Sequence, residues 1–550
     1  MKKFWLTVLA IIIFSATQSQ TTQQINQLAT LGKLWGFLKY YHSAALKGKP
    51  DWDKELARMA LLAEQSAPGK AFDKLMEDWY RSLPAPKFST TAVNRNADSI
   101  MTIFSEKDIQ QFAVTGWLKK ELIRLYQYHV PDTSRYVTRY YRNHVFDHII
   151  HTEDSHENPV YPSKEMRLLA LFRYWNTINY FYPHKQRIAN WDKVLVNYIP
   201  RFIAAKDSLE YRYVIRELIH ELPDSHSFMQ QPGDVYRVYP FRIDYIEGKY
   251  IVAQCDSITA KNNDYRLGDE VVGVNGKTIA EKEKELLKTT TGTNNLSLHR
   301  NIAQTLFHGR DSVLQVQFKR KDSIFSKEIV LHTWEVYNKM PRAAAPPLWR
   351  HTGGGIWYVR FCRIANPDTL TKLFRDIHNA KAVIWDMRDY PSYNVTLELY
   401  KFLFTQKLVT TQERNASDFF PGSFIKSPYT ITPATISDSL LYKGAMIVLV
   451  DEHTQSLSES VAAVLLLRPN TIIMGRQTAG TTGNITWLSL PGDIAVSYTG
   501  VGVTGSEKTF KQGEGVRLDK SVSLTVEKVI NSGDYILEKA VEYAKSLNHD

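Results

Sequence analysis

The stretch AMIVLVDEHTQSLSESVAAVLLL, residues 445–467, decides the fold expected for the C-terminal part of this chain. The apolar run Ala445–Val450 predicts a buried strand, and the apolar residues after the polar loop predict a helix. Sites in sheets of this kind lie in loops beyond the carboxyl ends of the strands. The loop offers the candidate nucleophiles Ser456, Ser458 and Ser460, with His453 just ahead of them.

The same alternation of strands and helices extends over the residues on either side. IWYVRF, AVIWDM and TIIMG predict further strands, and PDTLTKLFRDIHNA and LELYKFLF predict helices between them. We therefore expect an α/β layered domain over residues 355–545. The Pro-, Ala- and Gly-rich MPRAAAPPLWRHTGGG predicts a linker ahead of it, placed at residues 336–354.

Bulk properties describe a folded chain of several domains. The 550 residues are too many for one core, and 43% are hydrophobic and 12% aromatic. Lys2, Lys3 and the apolar run Phe4–Phe14 predict a secretory signal peptide over residues 1–19, too short to span a membrane. No other run has membrane-spanning length, so we expect an exported protein, periplasmic or extracellular. The net charge of +11 is scattered without a Lys/Arg block, which argues against nucleic acid as a partner.

An internal repeat organises the N-terminal half. LGKLWGFLKYYH, PDWDKEL and DWYRSLPAPKFS recur as LFRYWNTINYFYPH, ANWDKVL and RELIHELPDSHSF. Both copies carry apolar residues at helical spacing, so each predicts a small helical unit. The first unit with its connecting segment covers residues 20–165, and the second covers residues 166–238. After Leu-Pro only the second copy continues into Asp224-Ser225-His226-Ser227.

Residues 239–335 change to paired strands. YPFRIDYIEGKYIVAQC alternates like a hairpin, and LGDEVVGVNGKTI contains a tight-turn signal at Asn275-Gly276. This segment resembles a PDZ domain, which captures extended peptide ends by strand addition. A β-rich spacer is the alternative. Cys255 and Cys362 fall in different expected domains, and the sequence leaves open whether they pair.

Among the three loop serines, Ser456 has the position that a nucleophile needs. It lies between a strand end and a helix start, where the next N–H, that of Leu457, can face an oxyanion in the field of the helix. Ser458 fits a helix N-cap, and Ser460 falls inside the helix. His453 is close in sequence, but a residue three positions back in a tight loop usually points elsewhere, so we interpret it as a polar loop residue.

The motifs together identify a resemblance to the S41 peptidases, the tail-specific and tricorn-type serine proteases. LPDSHSF, LGDEVVGVNG, AVIWDMRDYP, VDEHTQSLSESVAA, MGRQTAGTTGN and GEGVRLD carry it over about residues 166–545. The resemblance implies a multidomain α/β protein with duplicated N-terminal helical units, a PDZ-like β-rich domain and a ClpP/crotonase-like α/β catalytic domain. It also implies that Ser456 is the nucleophile.

The resemblance implies the base as well. The tail-specific branch uses a lysine in a G-E-x-T-x-G-K loop, and here GRQTAGT places Thr481 at that position. The tricorn-like branch uses a histidine after a serine, ahead of the PDZ-like region, which selects His226 as base and Ser225 as the residue that orients it. Neutral imidazole suits general base work near pH 7.

Two departures from the family pattern concern groups around this serine. The oxyanion loop, usually D-L-R-x-N-x-G-G, here reads DMRDYPSY, with Ser392 and Tyr393 in place of glycines. The tricorn-type supporting glutamate is replaced in KQGEGVRLD by Gln512, which could hydrogen-bond Ser225, with Glu514 two residues later. The resemblance implies no cofactor and no metal.

We therefore expect an exported serine endopeptidase that cleaves proteins or peptides through a Ser456 acyl-enzyme. The alternatives are an inactive S41-like protein that binds a peptide or a lipophilic ligand, and a scaffold that holds partner chains. The sequence leaves the oligomeric state open.

Overall fold

The computed structural model describes residues 21–142, 146–153, 160–231, 237–239, 241–255, 264–307, 311–340, 343–505 and 508–547. The predicted signal peptide, residues 1–19, lies outside the described residues. None of the described helices combines the length and the apolar character that crossing a bilayer requires. Cys255 and Cys362 are not joined by a disulfide bond.

The first helical unit is held by a reciprocal pair of tryptophans. The Trp35 indole N–H donates to the Trp52 carbonyl over 2.9 Å, and the Trp52 indole donates back to the Trp35 carbonyl over 3.1 Å. Thr21 and Asp51 cap the two helices that carry these rings. The unit consists of α1 (Thr22–Tyr41), α2 (Ser43–Leu46), α3 (Trp52–Gln65) and α4 (Lys70–Ser82).

The connecting segment, which the sequence left unassigned, contains a strand that pairs far along the chain. Its first strand joins the strand Ser423–Ile431, with Ile100 opposite Ile425. A later antiparallel hairpin joins its other two strands. The elements are β1 (Ile100–Thr102), α5 (Glu106–Gln110), α6 (Gly116–Tyr128), β2 (Val137–Arg142) and β3 (Phe146–His151).

The second helical unit repeats the first and packs against it. Trp175 and Trp191 exchange indole-to-carbonyl hydrogen bonds of 2.8 and 3.0 Å, as Trp35 and Trp52 do. The Asn176 amide donates to the Gly32 carbonyl on α1 over 3.0 Å. The unit comprises α7 (Lys164–Phe181), α8 (Trp191–Ala204) and α9 (Ser208–His220).

The expected PDZ-like region is a sheet in the order β11-β10-β8-β7-β6, with β9 on the edge of β8. Asn275 and Gly276, with φ of 50° and 78°, form the predicted tight turn. The elements after α9 are β4 (Met229–Gln230), β5 (Arg237–Val238), β6 (Phe241–Ile246), β7 (Lys249–Cys255), β8 (Glu270–Val274), β9 (Lys277–Thr278), α10 (Ile279–Leu286), α11 (Asn295–Thr305), β10 (Val313–Arg320), β11 (Ser323–Val330), β12 (His332–Thr333) and α12 (Trp334–Lys339).

The C-terminal domain has a six-stranded sheet in the order β13-β14-β15-β18-β19-β25, in which only the β13–β14 pair is antiparallel. Its elements are β13 (Trp349–Gly353), β14 (Ile356–Val359), α13 (Thr369–Ile377), β15 (Ala382–Asp386), α14 (Tyr393–Leu399), β16 (Leu408–Ala416), β17 (Ser423–Ile431), β18 (Ala445–Val450), α15 (Leu457–Leu465), β19 (Thr471–Gly475), β20 (Ile485–Leu490), β21 (Ile494–Thr499), β22 (Val501–Gly505), β23 (Phe510–Lys511), β24 (Gly515–Val516), β25 (Lys520–Ser521), α16 (Val526–Ser532) and α17 (Tyr535–Ser546).

Two sequence expectations differ from this architecture. The segment expected as a linker contains β13, because three glycines at residues 353–355 adopt positive φ and turn the chain back onto β14. The helix expected over LELYKFLF begins earlier, at Tyr393, and continues after Leu399 only as a 3₁₀ turn.

Both faces of the parallel sheet are buried, which explains its continuous apolar strands. On one face, Trp385 and Val448 pack in a core with helices α13, α14 and α15. On the other face, Ile384 and Leu449 pack against α17. The structure is a multidomain α/β fold, as the sequence predicts, and it places the loop after β18 at the edge where sites form.

Two smaller sheets bring distant segments to that edge. One has the order β1-β17-β16-β22 and forms one side of a cavity above α15. The other has the order β20-β21-β4, in which Met229 pairs with Val496. Because β4 comes directly after the Asp224–Ser227 turn and Phe228, its pairing with β21 fixes that turn against the C-terminal domain.

Candidate active site

Ser456 lies in a strained turn at the start of α15. Its φ of 59° and ψ of −116° are unusual for a residue with a side chain, and such conformations persist where surrounding contacts enforce them. The Ser456 N–H donates to the Thr481 carbonyl over 2.9 Å. Ser456 is also the N-cap of α15, whereas the sequence predicts Ser458 at that position.

The buried Glu459 carboxylate holds this turn from below. It accepts hydrogen bonds from Thr478 Oγ1 at 2.5 Å, Gly480 N at 2.7 Å, Thr481 N at 3.0 Å and Ser456 N at 3.2 Å. Burial raises the pKa of Glu459 to about 7, while these four donors favour its charged form. Glu459 thereby ties the helix to the loop at residues 478–481.

A cavity of about 230 Å³ opens beside Ser456. Its walls come from α14, α15, β16, β17 and β22, and they are mainly tyrosine rings and aliphatic side chains. Ser456 and Leu457 both line it, and within the described structure neither the Ser456 hydroxyl nor the Leu457 N–H donates to a protein acceptor. Leu457 opens the first turn of α15, where N–H groups lack intrahelical acceptors and can bind an anion.

The predicted oxyanion loop is anchored at its base. Arg388 pairs with Asp386 at 2.8 Å and with Asp534 at 2.7 Å. Ser458 Oγ lies 2.7 Å from the Met387 carbonyl and 3.0 Å from the Asp389 carbonyl, so it fastens α15 to the loop. This contact gives Ser458 a role that its sequence position did not reveal.

The two loop residues that replace glycine occupy different places. Tyr393 lines the cavity together with Tyr390. Ser392 stands ahead of α14, where its carbonyl accepts the Thr396 N–H over 3.0 Å. The loop thus presents tyrosine rings beside Ser456.

His226 is buried in the turn after α9, and the last residue of β21 contacts its ring. Its Nδ1 lies 3.0 Å from Thr499 Oγ1. The Asp224 carboxylate accepts from the Thr499 N–H at 2.8 Å, the Thr499 hydroxyl at 2.9 Å and the His226 N–H at 3.0 Å. Burial lowers the pKa of His226, and the nearby Arg300 charge lowers it further, while Asp224 opposes both. Sequence reasoning missed Thr499, since a threonine at a strand end carries no motif.

Ser225 forms no hydrogen bond with the His226 ring among the described residues. Its hydroxyl accepts from the Thr293 N–H and from Thr293 Oγ1, each over 3.0 Å, whereas the ring contacts Thr499. Thr293 Oγ1 in turn contacts Thr481 Oγ1. Among the described residues no hydrogen bond joins His226 to Ser456, and the two segments are connected through Thr293 and Thr481.

The two supporting residues predicted from KQGEGVRLD do not bind Ser225 in the described structure. Gln512 Oε1 accepts the Thr482 N–H at 3.4 Å, so Gln512 supports the loop beside Ser456. Glu514 has 64% of its side chain exposed and pairs with Lys511. The surface ion pair with Lys511 accounts for the position of the Glu514 side chain, so no role at the site is needed to explain it.

The expected PDZ-like region holds the loop that precedes Ser456. His453 Nε2 lies 2.9 Å from Asp244 Oδ1 on β6, and among the described residues no hydrogen bond joins His453 to Ser456. Arg300 on α11 donates to the Glu452 carbonyl over 2.7 Å and to Gln455 Oε1 over 2.5 Å. The loop that precedes Ser456 is therefore fastened to α11 and β6.

One group in the described part of the chain has the donor set of a metal site. The candidate ligand atoms of Asp244, Glu452 and His453 lie within 4.8 Å of one another. Arg242 pairs with Asp244 at 2.9 Å, and Arg476 pairs with Glu452 at 2.8 Å. These arginines already neutralise both carboxylates, which accounts for the group as an ion-pair network between β6 and the loop.

Comparison with known proteins places these domains in families. Residues 355–522 match the model of peptidase family S41, and residues 236–330 match a PDZ domain model. The chain matched no curated protein sequence.

Solved structures agree with this fold. The structure of mature CPAF complexed with lactacystin is 13% identical, with a TM-score of 0.54, and the match covers 70% of this chain and 98% of that one. At this identity the likeness concerns the fold alone. Two weaker matches are the photosystem II D1 C-terminal processing protease (15% identity, 66% and 96% coverage, TM-score 0.42) and the tricorn protease (16%, 73% and 37%, 0.31).

The strained serine at the start of α15 thus lies within the matched peptidase domain, behind a PDZ domain. Residues 355–522 form a domain of peptidase family S41, and the chain is a serine-type peptidase.

Proposed function

We propose that the chain is an exported endopeptidase in which Ser456 attacks a peptide carbonyl and His226 is the general base. The observation that carries this proposal is the Ser456 turn, where a hydroxyl and the adjoining Leu457 N–H border one cavity and have no protein acceptor among the described residues. A tetrahedral oxyanion next to Ser456 would accept the Leu457 N–H in the field of the α15 N-terminus.

The chemistry requires proton transfer in both directions. His226 takes the Ser456 proton as the carbonyl is attacked and returns it to the leaving amine, which leaves an acyl-enzyme on Ser456. Water then attacks the ester carbonyl as His226 takes a proton from it, and His226 returns that proton to Ser456 Oγ, which leaves as the free hydroxyl. Burial keeps the His226 imidazole neutral near pH 7, the form that accepts a proton.

The substrate class follows from the cavity and the PDZ domain. Tyrosine rings and aliphatic side chains around Ser456 suit an apolar side chain next to the scissile bond. PDZ domains bind extended peptide segments by strand addition, so proteins or peptides are the proposed substrates. Export rests on the predicted signal over residues 1–19.

Turnover of casein by the mature chain tests the proposal. We expect wild type to release internal fragments, Ser456→Ala to release none, and His226→Ala to be slower by about 10²–10⁴-fold. Mass spectrometry of the fragments distinguishes internal cleavage from trimming of chain ends. Equal rates for wild type and either variant would refute the assigned roles.

A further inference from the structure

A buried chain of hydrogen bonds joins Asp224, Thr499 and His226. All three residues are at most 2% exposed, so the chain is shielded from water. Its links are 2.9 Å from Thr499 Oγ1 to Asp224 Oδ1 and 3.0 Å from Thr499 Oγ1 to His226 Nδ1. Buried polar groups need partners with matched donors and acceptors, so the direction of each bond is determined.

The direction follows from the chemistry of the three groups. An ionised carboxylate only accepts hydrogen bonds, so the single hydroxyl proton of Thr499 is donated to Asp224. The Thr499 oxygen then offers only lone pairs to the imidazole. Nδ1 of His226 must therefore carry the proton, and Nε2 is left with its lone pair. No described residue forms a hydrogen bond with Nε2.

We infer that Asp224 and Thr499 are positioning residues that hold His226 in the tautomer whose Nε2 can accept a proton. This inference rests on the proposed function, because only a general base at His226 needs that tautomer. Thr499 stands between the carboxylate and the ring, so the negative charge acts on the imidazole through a hydroxyl instead of through a direct ion pair.

Strand β21 fixes the geometry of this arrangement from two sides. Ser497 Oγ donates to the His226 carbonyl over 2.6 Å, while Thr499 contacts the ring. The Ser497 N–H also donates to the Phe228 carbonyl over 2.9 Å. Backbone and side chain of His226 are therefore set by one strand, and a change at Thr499 Oγ1 alone leaves the other contacts in place.

Nitrogen-15 NMR of histidine-labelled protein tests the tautomer directly. The His226 signals are assigned by their loss in His226→Gln, and spectra are recorded at a pH where the ring is neutral. We expect a protonated Nδ1 in wild type and in Thr499→Ser, and a shift toward protonated Nε2 in Thr499→Val. A protonated Nε2 in wild type, or the same tautomer in Thr499→Val, would overturn the inference.

Kinetics of the same variants provide the second test. Thr499→Val is expected to lower kcat by about 10²–10⁴-fold with KM little changed, and Thr499→Ser to recover most of the loss. Thr486→Val is the matched control, because Thr486 is a buried threonine on the paired strand β20. Unchanged kcat in Thr499→Val, or an equal loss in Thr486→Val, would contradict a positioning role.

The proposed function and this inference fail in different ways. If His226→Ala retains full activity, the base is another group, and the NMR spectra still decide whether Thr499 sets the tautomer. If His226→Ala is inactive and Thr499→Val is fully active with an unchanged tautomer, His226 acts without Thr499 and the inference is wrong.

Discussion

The two helical units share one scaffold and differ in the turn at its C-terminal end. Trp35 and Trp52 in the first unit exchange the same indole-to-carbonyl bonds as Trp175 and Trp191 in the second. After Leu-Pro, the second unit enters the Asp224–Ser227 turn, which β21 holds. The first enters residues 85–88, whose last residue, a phenylalanine, forms a bridge with residue 129. The two units thus differ in the four residues of this turn and in the strand that holds it. Only the second unit carries the proposed base.

The first unit supports the second through close contacts. The Asp53 carboxylate on α3 pairs with the buried Arg173 on α7 at 2.7 Å, and Arg173 also donates to the Ser489 carbonyl on β20 over 3.0 Å. Lys39 on α1 pairs with the buried Glu153 at 2.5 Å. Breaking one partner of such buried pairs leaves an uncompensated charge, so the first unit is bound to the rest of the fold.

The largest expected difference between the two units appears when the equivalent turn residues, His226 and Lys87, are each replaced by alanine. His226→Ala should lower kcat/KM by about 10²–10⁴-fold, since the proposed base is removed. Lys87, the residue at the equivalent place in the first unit, should be replaceable by alanine with activity within about twofold of wild type, because substitutions away from buried features have small effects. Peptide hydrolysis at saturating and limiting substrate measures both. Equal losses would mean that the two turns share a role.

The contact between the units should be the next most sensitive feature. A Cβ added at Gly36 would overlap the side-chain amide of Asn176, so Gly36→Ala forces α1 away from α7. We expect a loss of about 1–3 kcal/mol in the free energy of unfolding, as overpacked cores show. Urea unfolding measures the change.

Gly116→Ala is the matched control for that substitution. Gly116 begins α6, and a Cβ there would meet nothing within 4 Å. Its free energy of unfolding should stay equal to that of wild type or rise slightly. A Gly36→Ala variant as stable as this control would show that the units do not pack as described.

Removal of one tryptophan hydrogen bond per unit should have a smaller, paired effect. Trp35→Phe and Trp175→Phe each remove one indole donor from a buried helix carbonyl, which should cost about 0.5–1.5 kcal/mol in each case. Because the donor distances of 2.9 and 2.8 Å are nearly equal, we expect losses of similar size. Thermal unfolding monitored by near-UV circular dichroism compares them. A loss confined to one variant would show that the two pairs are not equivalent.

The smallest expected effect concerns the dependence of kcat/KM on pH. As pH falls, Glu459, whose pKa burial raises to about 7, gains a proton before His226, whose pKa burial lowers. A protonated Glu459 loses acceptor capacity for its four donors, and a protonated His226 cannot act as base. We therefore expect kcat/KM to fall in two steps below neutrality.

Asp224→Asn distinguishes those two steps. The Asp224 charge stabilises the imidazolium, so its removal should shift only the lower step, and toward more acidic pH. A profile of kcat/KM against pH for the two proteins measures this shift. A shift to higher pH, or movement of the upper step alone, would contradict the assignment of the lower step to His226.

Sequence patterns predicted the elements that have local signals. The apolar strands of the parallel sheet, the duplicated helices and the Asn275-Gly276 turn are set by short-range periodicity and turn chemistry. The pairing of β16 with β22 escaped prediction because it joins residues far apart in sequence. Strand β13 escaped because its glycines resemble a linker, although they form a turn.

The residues of the site also fall into those that have a local sequence signal and those that have none. Ser456 was selectable because it stands between a strand and a helix, and His226 because its motif resembles a known family. Thr499 contacts His226 only because β4 pairs with β21, and no local sequence pattern predicts this contact. Glu514 shows the opposite case, since a residue near a family motif lies exposed at the surface.

The measurement that tests the central claim most directly is the site of covalent labelling by a fluorophosphonate. Ser456, Ser458 and Ser460 lie within five residues, and fragmentation of the labelled peptide by mass spectrometry distinguishes them. We predict a single label on Ser456, none in Ser456→Ala, and strongly slowed labelling in His226→Ala. A label on Ser458 or Ser460, or labelling that persists in Ser456→Ala, would contradict the assignment of Ser456 as the nucleophile.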